Sequence, residues 1–160
     1  MQPGERLLDL GTGTGGLLRR LAARAVRPRE ACGIDSSEQM LAQAPALPAG
    51  WELRQADAMA LPFPDGSFDV ATAAYLLHLL EPAERARVLA EARRVLAPGS
   101  RLVTVTTAGP RRLFALLAHL VPGLQVVDPR PDLEAAGFVV TGARRVLLGY
   151  PSLCVLAVTA

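Results

Sequence analysis

The sequence predicts an α/β domain: a seven-stranded, mostly parallel sheet with helices on both faces, in which a C-terminal hairpin supplies one antiparallel strand. Three observations predict it. Short apolar runs alternate five times with stretches of helical periodicity. Glycine, proline or acidic residues punctuate the junctions. The last two apolar runs are separated only by a Gly-Tyr-Pro turn at residues 149–151. A chain of 160 residues, 51% of them hydrophobic, suits one core of ordinary size, so residues 1–160 are expected to form a single domain.

The first strand is residues 6–10, ending at a glycine turn; leucines at 17, 18 and 21 with alanines at 22 and 25 then predict a helix over 15–26. A second strand at 31–34 ends at Asp35, and Ser36 followed three residues later by Gln39 reads as a capping box opening the next helix. Residues 51–55 read as a third strand. The Pro- and Gly-bearing loop ALPFPDGS at 60–67 precedes a buried fourth strand at 68–74. Pro82 suits the first position of a helix whose inner face is Val88, Leu89, Ala92, Val95 and Leu96, stopping at APGS, residues 97–100. A β-branched strand at 101–107, an apolar helix at 110–121 and a short helix at 132–136 follow, then the long strands 138–148 and 152–159.

Composition excludes much. All 17 basic residues are arginine, so a Walker P-loop, a pyridoxal Schiff base and any lysine nucleophile are ruled out. The net charge of +2 and 4% aromatic content give no nucleic-acid footprint, and Arg111 and Arg112, the nearest thing to a basic patch, read as solvated helix-end charges. Cys32 and Cys154 sit in apolar runs without metal or disulfide spacing and read as core. The absence of a membrane-length apolar run or a secretory pattern predicts a soluble, cytoplasmic chain.

Sheets of this kind bind ligands beyond the carboxyl ends of their strands, which singles out Asp9 to Gly15, Asp35, Asp57 and Ala73 to His78. Gly11, Gly13 and Gly16 satisfy G-x-G-x-x-G, so a dinucleotide must be weighed. Asp9 opposes it: a carboxylate about 5 Å from a phosphate oxygen costs on the order of 1–3 kcal/mol at an effective dielectric near 20–60. The same charge favours a ligand bearing an ammonium or sulfonium.

The runs LLDLGTGTGGLL (7–18), GIDSSEQML (33–41), QADAMALPFPDGSFDV (55–70) and RRVLAPGSRLV (93–103) resemble, in order and spacing, a class I S-adenosylmethionine-dependent methyltransferase. Within that class the chain is most similar to the group of quinone-biosynthesis C-methyltransferases and related small-molecule enzymes. The resemblance implies a Rossmann-like fold and a set of cofactor-binding residues. Asp9, Gly11, Thr12, Gly13 and Gly15 would form and support a turn facing the methionine part. Asp35 would accept from both ribose hydroxyls, with Ser36 beside it. Asp57 would accept from the adenine amino group, the Ala58 amide would donate to the ring, Met40 would pack on the base, and Ala73 would close the set. Asp35 also suits a plain helix cap, and Asp57 a loop cap.

Tyr75 and His78 follow the fourth strand and are the candidate catalytic residues. His78 could deprotonate a phenol or activated carbon, or simply pack on the next helix. In-line displacement can run on alignment alone, with no dedicated base. The resemblance implies paired histidines where this chain reads Leu77, His78, Leu79. The residues AAYL at 73–76 replace the Asn-Pro-Pro-Tyr of base-amine methylation, and neither cysteine lies near the site, so the partner implied is a small, apolar or aromatic molecule, not nucleic acid or membrane. The helix at 110–121 offers a pocket wall, a homodimer face or ordinary core. The resemblance implies helices ahead of the first strand, which here lies almost at residue 1, so that side of the site is expected to be open or closed by another subunit. Two other readings stay open: a cofactor-binding module without catalysis, and an NAD-dependent oxidoreductase domain, for which 160 residues leave no second nucleotide-binding half.

Overall fold

The computed structural model describes residues 2–108, 126–147 and 151–160. In chain order the elements are β1 (Arg6–Leu10), α1 (Gly16–Ala22), β2 (Glu30–Asp35), α2 (Glu38–Leu41), β3 (Trp51–Gln55), β4 (Phe68–Ala74), a 3₁₀ turn (Leu77–Leu79), α3 (Pro82–Val95), β5 (Leu96–Thr107), α4 (Arg130–Ala135), β6 (Phe138–Leu147) and β7 (Pro151–Thr159). The seven strands form one sheet in the order β3-β2-β1-β4-β5-β7-β6. The first five in that order run parallel to one another, and β7 runs antiparallel to both β5 and β6. The reversal of order between β1 and β4 places the switch point of the sheet at the end of β1.

Alternating side chains divide the core into two layers. On one face Leu7, Ala31, Trp51 and Val70 pack with Leu18 of α1. On the other, Leu8, Ile34, Ala71, Leu102 and Val155 pack with Val88, Leu89 and Ala92 of α3 and Leu133 of α4.

Several boundaries differ from the sequence reading. α1 ends at Ala22, short of residue 26, because the next residues have nothing apolar to bury against: Val26 is 51% exposed. The cap of α2 is Ser37, whose Oγ accepts from Met40 N at 3.3 Å, so the expected Ser36–Gln39 box is not the cap used. Ser36 instead offers its carbonyl to Gln55 Nε2 at 3.1 Å. The segment expected to stop α3 has become part of β5: Leu96 pairs with Phe68, the register shifts, and pairing resumes at Arg101 opposite Val70. Gly99 takes φ 73° in that bulge. α4 starts at Arg130, not 132, with Pro129 as its N-cap residue. The 3₁₀ turn was not legible in the pattern. Cys32 is buried, its thiol pushed up to about 12 by burial and by the neighbouring Glu52 carboxylate. Cys154 is only partly buried, against the expectation of a core residue. The helix expected at 110–121 and the turn residues 149 and 150 lie outside the described residues.

One arginine ties the loop between β3 and β4 to α3. Arg94 donates to the carbonyls of Leu61 (3.0 Å) and Phe63 (2.8 Å), to Asp65 and to both oxygens of Glu91. Glu91 in turn accepts from Leu61 N at 2.7 Å. The guanidinium holds the Glu91 carboxyl below its ordinary range.

Candidate active site

The carboxyl ends of β1, β2 and β4 and the loop after β3 enclose a cavity of about 670 Å³. Its floor is the glycine turn after β1. Gly11, Gly13 and Gly15 take φ of 67°, 56° and 70°, a region L side chains rarely enter. A Cβ at Gly13 would also lie 3.3 Å from Met40 Cε, so Met40 and a bare backbone share one space on the wall. The turn is stitched to β2: Thr12 N donates to the Ile34 carbonyl at 2.8 Å and Gly13 N to Asp35 Oδ2 at 2.8 Å.

Asp9 lies beneath this turn rather than on the cavity wall. Only 2% exposed, its carboxylate accepts from Thr12 Oγ1 at 2.7 Å and from Thr72 Oγ1 at 2.6 Å. Burial raises its pKa, and the two hydroxyl bonds oppose that shift. Asp9 thus acts on a ligand through the shape of the turn.

Asp35 lines the cavity at the end of β2, with Oδ2 on Gly13 N and Oδ1 accepting from Ser37 N at 3.0 Å. Those bonds use one acceptor position on each oxygen and leave a second on each, the array a vicinal diol requires. Asp57 Oδ1 caps its own loop by accepting from Met59 N at 2.8 Å, while the residue lines the cavity beside Ala58 and Met59. Ile34, Met40, Ala58 and Met59 supply apolar lining to the same cavity.

Sequence reasoning placed Ala73 at the site. The structure buries it completely within β4, and strand alternation gives the cavity Ala74 instead. Thr12 and Gly15 also lie off the wall, Thr12 buried over Asp9 and Gly15 as the N-cap of α1. Leu76 falls within the expected stretch 73–78, whereas Leu79, Leu80 and Val88 were missed; together they form the wall beyond β4, with Leu79 64% exposed at its rim. The leucine-rich run after β4 was their only signal.

Tyr75 lines the cavity, and His78 does not. The histidine is buried, its ring edge-on to Tyr75 with centroids 6.0 Å apart. Burial lowers its pKa, so the imidazole is neutral near pH 7, and Nδ1 has no hydrogen-bond partner among the described residues. No cluster of three or more metal-ligating side chains occurs among the described residues.

A doubly wound sheet with a glycine turn, a ribose-compatible acid after β2 and an apolar slot after β3 defines a class of domain that binds adenosine-bearing ligands. Residues 7–99 match the family described as methyltransferase domain, and the chain belongs to that family. It is 46% identical over 110 residues to the demethylmenaquinone methyltransferase of Thermus thermophilus, covering 66% of this chain and 49% of that protein. It is 43% identical over 127 residues to a ubiquinone/menaquinone biosynthesis C-methyltransferase of Dinoroseobacter shibae, covering 76% and 46%. The chain therefore spans about half the length of these relatives. A SAM-dependent methyltransferase from Methanosarcina mazei shares the fold at TM-score 0.81 and 23% identity, over 99% of this chain and 94% of that one. The family implies S-adenosylmethionine, and the residues present fit it: bare glycines at the turn, spare acceptors on Asp35, and no basic side chain on the described wall to receive a diphosphate.

Proposed function

We propose that this chain binds S-adenosylmethionine in the cavity and directs its methyl group to a small, apolar or aromatic acceptor. The names of the relatives point to a demethylated quinol as the first acceptor to try. Asp35 carries this reading. It grips both the glycine turn and the start of α2 while keeping an acceptor position on each oxygen at the cavity surface.

When bound, the cofactor supplies an electrophilic methyl group on a positively charged sulfur. The chain's own residues do the rest by placement. The glycine turn leaves room for the amino-acid portion, Asp35 orients the ribose, and Asp57 with the Ala58 amide reads the base edge. Leu76, Leu79, Leu80 and Tyr75 form an apolar compartment that strips water from the acceptor. His78, behind Tyr75 and neutral, backs this wall and could take a proton only after the acceptor or the turn had shifted toward it. No described helix is long and apolar enough to cross a membrane. We place the reaction in the cytoplasm, on a free small molecule and not on nucleic acid.

The test is titration of the protein with S-adenosylmethionine, S-adenosylhomocysteine and NAD by calorimetry, then incubation with methyl-labelled cofactor and a short-chain demethylnaphthoquinol. Tighter binding of NAD would sink the reading. Cofactor binding with label in no product, from this acceptor or a metabolite extract, would leave a binding module instead.

A further inference from the structure

Tyr75 is the one non-glycine residue with positive φ (59°) among the described residues, a conformation that persists only where its surroundings over-determine it. Two bonds do so. Its backbone N–H donates to the Val105 carbonyl of β5 at 2.7 Å, and its hydroxyl lies 2.9 Å from Ser152 Oγ on β7. Ser152 is 1% exposed and sits opposite Thr107 at the carboxyl end of β5. The tyrosine therefore starts at the end of β4, is fastened by its main chain to β5, and is fastened by its phenol to β7. One residue thus links three adjacent strands and lines the cavity.

We propose that Ser152 is a positioning residue for methyl transfer, fixing the Tyr75 ring as the acceptor-side wall, a role that rests on the reading given under Proposed function. Ser152 is not itself on the described cavity wall, and among the described residues its link to that wall is Tyr75. Displacement at a methyl group is sensitive to small misplacements of the attacking atom, and a wall that swings loses rate without losing cofactor. Through this bond β7, a strand of the C-terminal hairpin, sets the acceptor geometry.

The chain has only two tyrosines, Tyr75 and Tyr150, so ring-labelled tyrosine gives a simple NMR spectrum in which each can be assigned by substitution. Ser152→Ala is expected to shift or broaden the Tyr75 ring signals. With the demethylnaphthoquinol as acceptor, kcat should fall about tenfold, while KM for S-adenosylmethionine and the affinity for S-adenosylhomocysteine stay within about twofold. Tyr75→Phe should reproduce the loss, and the double variant should be no worse than either single one. Ser152→Thr, which keeps the hydroxyl, should recover the Tyr75 signals and part of kcat; if its extra methyl prevents folding, the Tyr75→Phe cycle decides. Unmoved Tyr75 signals in Ser152→Ala would overturn the proposal, as would moved signals with unchanged kcat. Failure of the wild-type protein to bind S-adenosylhomocysteine would instead defeat the methyl-transfer reading, while the ring signals would still decide the Ser152 contact.

Discussion

Replacing Thr72 by Val tests whether the buried Asp9 carboxylate underlies the glycine turn. The substitution keeps the β-branched shape that suits β4 but deletes the donor that sits 2.6 Å from Asp9 Oδ1. Thr12 remains on the other oxygen at 2.7 Å, so the carboxylate loses one of its two side-chain donors in a site 2% exposed to water. A hydrogen bond to a charged group contributes about 1.5–3 kcal/mol, and Thr72→Val should lower unfolding free energy by that amount at a pH above the raised pKa of Asp9. In an Asp9→Asn background the partner is neutral, and the same substitution should cost only about 0.5–1.5 kcal/mol. Urea denaturation of the four proteins, with m held constant across the set, gives the coupling energy directly. The pH dependence has a definite sign. Because burial raises the folded-state pKa of Asp9, the native protein holds that proton more tightly than the unfolded chain. Stability from this group is complete below the ordinary carboxylate pKa and is lost as pH rises through the raised one. Thr72→Val removes a bond to the charged form and should deepen that loss; Asp9→Asn should abolish it. A Thr72→Val cost equal in both backgrounds, or below about 0.5 kcal/mol, would refute the reasoning.

Further outcomes are expected at three residues. Asp35→Ala should weaken S-adenosylhomocysteine binding by about 1–3 kcal/mol in calorimetry, through loss of charged hydrogen bonds to ligand and turn; unchanged affinity would remove the ribose role. Arg94→Ala should lower the urea midpoint and weaken S-adenosylhomocysteine on the order of threefold, because the loop that carries Asp57 to Met59 loses its ties. Arg94→Lys should restore only part of this, since one ammonium cannot serve so many acceptors in one plane. His78→Gln should lower kcat by less than about tenfold, and a loss of a hundredfold or more would make the imidazole a general base.

Much of the scaffold was readable because burial leaves a direct mark on composition. β1 and β4 of the parallel sheet are apolar runs closed by a glycine turn or opened by a Pro-Asp-Gly loop, and Pro82 announces α3. The bulge at 97–100 escaped because Ala-Pro-Gly-Ser is equally good at ending a helix and at kinking a strand. Neighbouring residues of similar chemistry hid the rest. Ser36 and Ser37 can each cap a helix, and the Asp35 carboxylate, by binding the Ser37 amide, settles which one does. Ala73 and Ala74 differ only in which face alternation gives them. Asp9 announced its importance by position, but its hydroxyl partner Thr72 lies 63 residues away and leaves no local trace. The left-handed backbone at Tyr75 and its tie to Ser152 are invisible for the same reason.

The hairpin has a consequence for how the sheet is assembled. β7 follows β6 in the chain yet lies between β6 and β5, and among the described residues β6 pairs with no other strand. During synthesis β6 therefore emerges from the ribosome with no docking edge, and the nascent sheet must wait, open along β5, until the later strand wedges in and zips both sides. A chain truncated before residue 151 would leave the backbone edge of β5 unpaired, the kind of exposed strand that chaperones or aggregation would meet.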